Sequence, residues 1–210
     1  MARKRLGALV SGSGSNLQAV LDACAAGKIN GEIAVVVSSK KDAYALTRAE
    51  QFGVPGFWVD KDKFPTADSY NLEILRILRE YRVDMVVMAG YMRLLGEEVL
   101  EAFPQAVINL HPALLPSFPG GNAIEEALDY GVRLTGVTVH FADAAYDTGP
   151  IILQEFVPVH QYDTLDVLAA RIHKVEHTLL PRAITLWADD RLRIEGRRVY
   201  ISGKGDMGKR

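Results

Sequence analysis

Short β-branched runs alternate with helix-spaced segments along the first half of this chain, and that alternation limits the fold more than any other feature. Residues 6–10, 32–38, 57–60, 84–90 and 105–108 read as strands. Between them, Leu17, Val20, Leu21 and Cys24 recur at helical spacing, and residues 41–52 form an amphipathic segment stopped by Gly53. Residues 66–81 read as a helix with Leu72, Leu75, Ile77 and Leu78 inward. Strands separated by single helices imply a doubly wound α/β sheet, mostly parallel, with helices on both faces. Residues 123–130 then read as a helix ended by Gly131, and 135–141 and 151–157 as strands. The link between those two strands is too short for a crossover, so they run antiparallel and the C-terminal part of the sheet is mixed. Residues 164–187 read as a long helix capped by Thr164, with Leu165, Leu168, Ile172, Val175, Leu179 and Leu180 inward. Pro181 is expected to kink or interrupt it. Residues 191–201 are expected to form an edge strand or hairpin, and 202–210 a frayed tail.

With 210 residues, 49% of them hydrophobic, and no repeat or linker, the chain is expected to be one domain over 1–210. A net charge of −2 supplies no electrostatic footprint for nucleic acid or a membrane surface. Cys24 is the only cysteine, so no intrachain disulfide is possible, and a reducing, cytoplasmic compartment is expected. Residues 6–10 are too short for a secretory signal, and no apolar run approaches a membrane span.

Polar groups gather where strands end. Residues 108–120 run Ile-Asn-Leu-His-Pro-Ala-Leu-Leu-Pro-Ser-Phe-Pro-Gly, and Pro112, Pro116 and Pro119 force a stiff loop beyond the strand. Asn109 and His111 are two apart and share a face in extended geometry, as donors for a developing oxyanion would; alternatively Asn109 turns the chain and His111 packs. Ser11-Gly-Ser-Gly-Ser-Asn16 joins the first strand to a helix, an arrangement that offers backbone N–H groups to a phosphate. It lacks the third glycine of a dinucleotide fingerprint and the Gly-Lys-Ser/Thr of a P-loop, so a monophosphate cradle is favoured over a plain turn. Gly12 and Gly14 allow close approach, and Ser15 or Asn16 is expected to cap the helix. Residues 91–95, Tyr-Met-Arg-Leu-Leu, serve either packing or an apolar slot for a ring-shaped ligand. Asp147, in an Asp-x-Gly turn, by default caps its own backbone. His173 and Glu176 share a helix face, but no metal-ligating constellation is complete and no metal is expected.

Asn109-Leu-His-Pro-Ala-Leu-Leu-Pro116, followed by Asp147-Thr-Gly-Pro-Ile151, resembles the formyltransferases that use 10-formyltetrahydrofolate. Val10-Ser-Gly-Ser-Gly-Ser-Asn-Leu-Gln-Ala19 is similar to the branch whose acceptor is the amine of glycinamide ribonucleotide in purine biosynthesis. The resemblance runs from Lys4 to about Leu192 and implies a Rossmann-like sheet and direct formyl transfer. It makes Asn109, His111 and Asp147 the catalytic set. It assigns the ribonucleotide to Gly14, Ser15, Asn16, His173 and Glu176. It assigns the folate to Met92, Arg93, Leu94 and Leu95 and to Asp143, Ala144, Ala145, Tyr146 and Asp147, with Asn109 shared. Residues 1–120 would then form the phosphate-binding half and 121–200 the folate-cleft half. The implied partners are those two small molecules, with 10-formyltetrahydrofolate as co-substrate, no metal, no nucleic acid and no membrane, in a monomer or homodimer. Two positions depart from the pattern. Gly120-Gly-Asn122 stands where some members carry a His, and Ala67 where some carry a basic residue beside the folate; Lys61 or Lys63 is expected to compensate. The alternatives are a formyltetrahydrofolate hydrolase, whose usual N-terminal domain has no counterpart before Leu6, and a non-catalytic nucleotide-binding protein.

Overall fold

In the computed structural model, residues 3–203 are described, and their strands form one nine-stranded mixed sheet flanked by helices. In chain order the elements are β1 (Lys4–Val10), α1 (Ser15–Ala25), β2 (Gly31–Ser38), α2 (Tyr44–Gln51), β3 (Gly56–Trp58), α3 (Ala67–Glu80), β4 (Met85–Met88) and α4 (Glu97–Ala102). There follow β5 (Val107–His111), α5 (Ala123–Tyr130), β6 (Leu134–Phe141), β7 (Ile151–Pro158), α6 (Leu165–Ala188), β8 (Leu192–Glu195) and β9 (Arg198–Ile201). The strand order is β3-β2-β1-β4-β5-β6-β7-β9-β8. β1 to β5 pair in parallel, β6 is antiparallel to β5 and to β7, and β9 rejoins β7 in parallel before the β8–β9 hairpin closes the edge.

The chain leaves β1 toward one sheet edge and returns through β4 toward the other, so the order reverses between these two strands. That switch point is where the loops after neighbouring strands diverge and leave a crevice. The loops after β1 and β4 are tied across it: the Met92 N–H donates to Ser11 Oγ at 2.9 Å, and Ser11 Oγ bonds Ser39 Oγ at 2.7 Å.

Central strands are apolar on both faces because helices cover both. Leu6, Ala8 and Val10 face a core formed with α1, α2 and α6, while Leu9, Val35 and Val37 face α3 and α4. Leu72 departs from the expected pattern: it is 52% exposed, because Asn71, Ile74, Leu75 and Leu78 already define the buried stripe and Leu72 falls about 100° outside it. Leu165 is likewise exposed, at the first position of α6, before the stripe of Leu168 and Ile172 meets the sheet. Thr164 caps α6 through the Val167 N–H. Pro181 does not interrupt α6, which continues from Leu165 to Ala188. The hydrogen bond that proline cannot donate is outweighed by Leu179, Leu180, Ala183 and Ile184, all buried on either side of it. The proposed fraying of 204–210 lies outside the described residues; Ser202 still pairs with Arg191. No helix among the described residues is long and apolar enough to cross a membrane.

Candidate active site

Beyond the carboxyl ends of β1, β4 and β5 lies a cavity of about 500 Å³. Asn109, His111 and Asp147 line it together with Asn16, His173, Glu176 and the slot Met92–Leu95. β5 delivers Asn109 and His111 on one face, two residues apart, paired in register with His140 and Thr138 of β6.

Asp147 stands at a positive φ of 56° in the loop between β6 and β7, and its side chain is 7% exposed. It does not cap its own turn. That task falls to Asp143, which accepts from the Ala145 N–H and the Thr148 hydroxyl. Gly149 holds the loop down, since any β-carbon there would run into the Phe141 carbonyl. Asp147 Oδ2 accepts from the Gly120 N–H at 2.9 Å and lies 3.3 Å from His111 Nδ1. Its Oδ1 accepts from Asn109 Nδ2 at 3.3 Å and lies 3.5 Å from His140 Nε2. Burial alone would raise this carboxyl, but the His140 side chain, the Gly120 N–H and the charges of both histidines outweigh it and hold the pKa below the ordinary value.

The histidine protons follow from their partners, because a carbonyl only accepts. His140 Nδ1 donates to the Phe141 carbonyl at 2.9 Å, which leaves Nε2 to face Asn109 and Asp147. His111 Nε2 donates to the Phe118 carbonyl at 2.7 Å, so both of its ring nitrogens face oxygen acceptors.

Across the cavity, Glu176 is buried and accepts from Asn16 Nδ2 at 2.9 Å and from His173 Nδ1 at 2.8 Å. The hydrogen bond that His173 donates to Glu176 raises the His173 pKa against an opposing but smaller desolvation. Asn16 Oδ1 is buried without a partner among the described residues. Neither Ser15 nor Asn16 caps α1: Gly14 is the N-cap, left-handed at φ 72°, because a loop that crosses Ala45 this closely has no room for a β-carbon (2.6 Å to Ala45 Cβ).

Not every expected residue reaches the cavity. Gly14 and Ser15 do not line it, Ser15 opening instead on a neighbouring groove, and Ala144 is exposed in the loop. Ala67 sits in the exposed first turn of α3, and Asn122 at the N-cap of α5; neither lines the cavity. Lys61 and Lys63 do not line it either; Lys63 stacks on Trp58 at 5.8 Å. The cation that does line it is Arg93, 5.6 Å from the Tyr70 ring, whose hydroxyl bonds Tyr91 at 3.0 Å. Sequence reasoning also missed His140. Its signal was a polar pair two residues apart, Thr138 and His140, mirroring Asn109 and His111. Among the described residues, no group of three or more His, Cys, Asp or Glu could hold a metal ion.

The crevice beyond the parallel strands of this doubly wound fold thus brings together an amide, imidazoles and a buried carboxylate from β5, β6 and the β6–β7 loop. Residues 4–184 match the formyl transferase family, and the chain belongs to it. Among its relatives is phosphoribosylglycinamide formyltransferase of Escherichia coli, 38% identical over 93% of this chain and 92% of the relative. The enzyme of the same name from Bacillus subtilis is 37% identical, over 86% and 93%. The crystal structure of glycinamide ribonucleotide transformylase 1 from Symbiobacterium toebii superposes with a TM-score of 0.95 at 48% identity, over 96% of this chain and 95% of that one.

Proposed function

We propose that the chain transfers the formyl group of 10-formyltetrahydrofolate to the primary amine of 5-phosphoribosylglycinamide in purine biosynthesis. The observation that carries this is the meeting, in one cavity, of Asn109, His111 and Asp147 with the Asn16–Glu176–His173 cluster. Ribonucleotide and folate would approach from the two sides of Asn109. The phosphate sits on the loop through Gly14, Ser15 and Asn16, and the glycinamide end reaches Glu176 and Asn16 Oδ1. The folate ring lies along Met92–Leu95 and the loop of Asp143, Ala144, Ala145, Tyr146 and Asp147.

The amine lone pair attacks the formyl carbon, and the carbonyl electrons move to oxygen. The Asn109 amide and the His111 imidazolium donate to that oxyanion, for which His111 Nε2 exchanges the Phe118 carbonyl for the new acceptor. Asp147 compensates the imidazolium charge and holds the ring through Nδ1. The oxyanion then collapses, the bond to folate N10 breaks, and the proton lost by the attacking nitrogen passes to N10. Tetrahydrofolate and the formylated ribonucleotide leave, and the chemistry needs no metal.

Mass spectrometry of the ribonucleotide after incubation with formyl-folate tests this. Formylation of the amine is expected. Free formate with unmodified ribonucleotide would instead favour a hydrolase, and neither product would leave a non-catalytic binding protein.

A further inference from the structure

We propose that Ser11 is a positioning residue for the formyl donor: its hydroxyl holds the segment Met92–Leu95 in the shape that receives the folate ring. The inference rests on the folate slot proposed above. That segment has no repeating structure to fix it. It lies between β4 and α4, where Gly90 turns the chain off the strand at a left-handed φ of 76°. Met92 and Leu94 line the cavity with exposed side chains, and apolar groups left in water contribute little burial to hold a backbone in place.

The anchors of this segment are therefore few. Tyr91 and Leu95 are buried at its two ends, and the Tyr91 hydroxyl bonds that of Tyr70 on α3 at 3.0 Å. The backbone of residues 91–95 makes a single hydrogen bond among the described residues, from the Met92 N–H to Ser11 Oγ at 2.9 Å. One side-chain oxygen thus fixes the main chain of the slot.

Ser11 is built as a fixed acceptor. It directly follows β1, it is buried, and its Oγ meets Ser39 Oγ at 2.7 Å. Ser39 is itself held, because its N–H donates to the Val10 carbonyl at 3.0 Å. The Ser11 hydroxyl therefore has partners on two sides, and it pins together the loops after three neighbouring strands, β2, β1 and β4. Further along its own loop, Asn16 bonds Glu176 on the acceptor side of the cavity. That contact does not involve the Ser11 side chain. Removing the hydroxyl should loosen the folate wall and leave the acceptor wall in place.

The test uses wild type, Ser11→Ala, Ser11→Cys and Ser39→Ala. It measures steady-state KM for a 10-formyl-folate analogue and for the ribonucleotide, together with calorimetric binding of tetrahydrofolate. One neutral hydrogen bond contributes ~0.5–1.5 kcal/mol net, or ~2- to 12-fold in affinity. Ser11→Ala is expected to raise the formyl-folate KM and the tetrahydrofolate Kd by that factor, with kcat and the ribonucleotide KM close to wild type. Ser11→Cys, which fills the space with a weaker acceptor, should show most of the same rise. Ser39→Ala leaves the Met92 bond in place and should show a smaller one. Equal rises in both KM values, or a fall in kcat at constant KM, would make Ser11 a general support of the fold and overturn the assignment. Unchanged tetrahydrofolate affinity in both Ser11 variants would overturn it as well. A wild type that binds no tetrahydrofolate would instead overturn the folate slot itself.

Discussion

Replacing Asp147 by Asn removes a charge on which four groups converge while barely changing the shape of the side chain. Oδ2 faces the Gly120 N–H and His111 Nδ1, and Oδ1 faces Asn109 Nδ2 and His140 Nε2, all within 3.5 Å. The best orientation of the new amide keeps its oxygen on Gly120 and His111. Its NH2 then meets the NH2 of Asn109, which loses its acceptor. His111 keeps a hydrogen-bond partner but loses the anion that compensates its positive charge. Loss of one charged hydrogen bond at a site this buried costs ~1.5–3 kcal/mol of stability. Loss of the anion that supports the oxyanion-donating imidazolium costs ~10²–10³ in kcat. Steady-state formyl transfer gives kcat, and calorimetry gives the ribonucleotide affinity, which should barely change because Asp147 lies across the cavity from Glu176. The pH dependence carries a sign. The folded-state pKa of Asp147 is depressed, so its stabilisation is complete above the ordinary carboxylate value and is lost as pH falls through the folded value. The variant should therefore lose less stability than wild type on acidification below about pH 4. A variant with kcat within tenfold of wild type would refute the reasoning; a selective loss of ribonucleotide affinity would move Asp147 to substrate binding.

His111→Ala should lower kcat by ~10²–10³ with a cooperative thermal transition retained, since it removes one oxyanion donor; an active His111→Ala protein would sink the mechanism. Gly14→Ala should destabilise by more than the ~1–2 kcal/mol of a left-handed alanine, because its β-carbon also meets Ala45; denaturant titration reads this, and a neutral result would contradict the loop geometry. The His173 pKa is raised, so the Glu176 contact stabilises fully below the unfolded value near 6.5 and fades as pH rises through the folded value. His173→Gln should therefore flatten the stability profile just above pH 6.5, and a profile unchanged from wild type would show that the contact is absent in solution.

The sheet was legible because its strands are apolar runs with short, well-punctuated helices between them; α5, with Gly131 behind it, lies where the spacing put it. What escaped were features that periodicity does not encode. α4 is too short to show a stripe. Pro181 looked like a break because local propensity says nothing about the packing on both sides of it. Within the candidate site, Asn109 and His111 announced themselves by parity on a strand. Asp147 was picked out only by the resemblance to the family, since an Asp-x-Gly turn usually serves itself, and it takes the fold to bring His111, His140 and the Gly120 N–H to it. His140 was hidden for a similar reason: its role depends on the register between β5 and β6. Ala67 and Asn122 looked consequential in the sequence, yet both stand outside the cavity, where Arg93 is the basic residue in reach.

The acceptor dependence of deformylation tests the central claim most directly. Absorbance can follow a 10-formyl-folate analogue with the enzyme alone, with glycinamide ribonucleotide added, and with His111→Ala in place of wild type. The expected result is deformylation that starts only when the ribonucleotide is present and nearly stops in the variant. Deformylation at the same rate without the ribonucleotide would contradict formyl transfer to that acceptor and make water the nucleophile at this site.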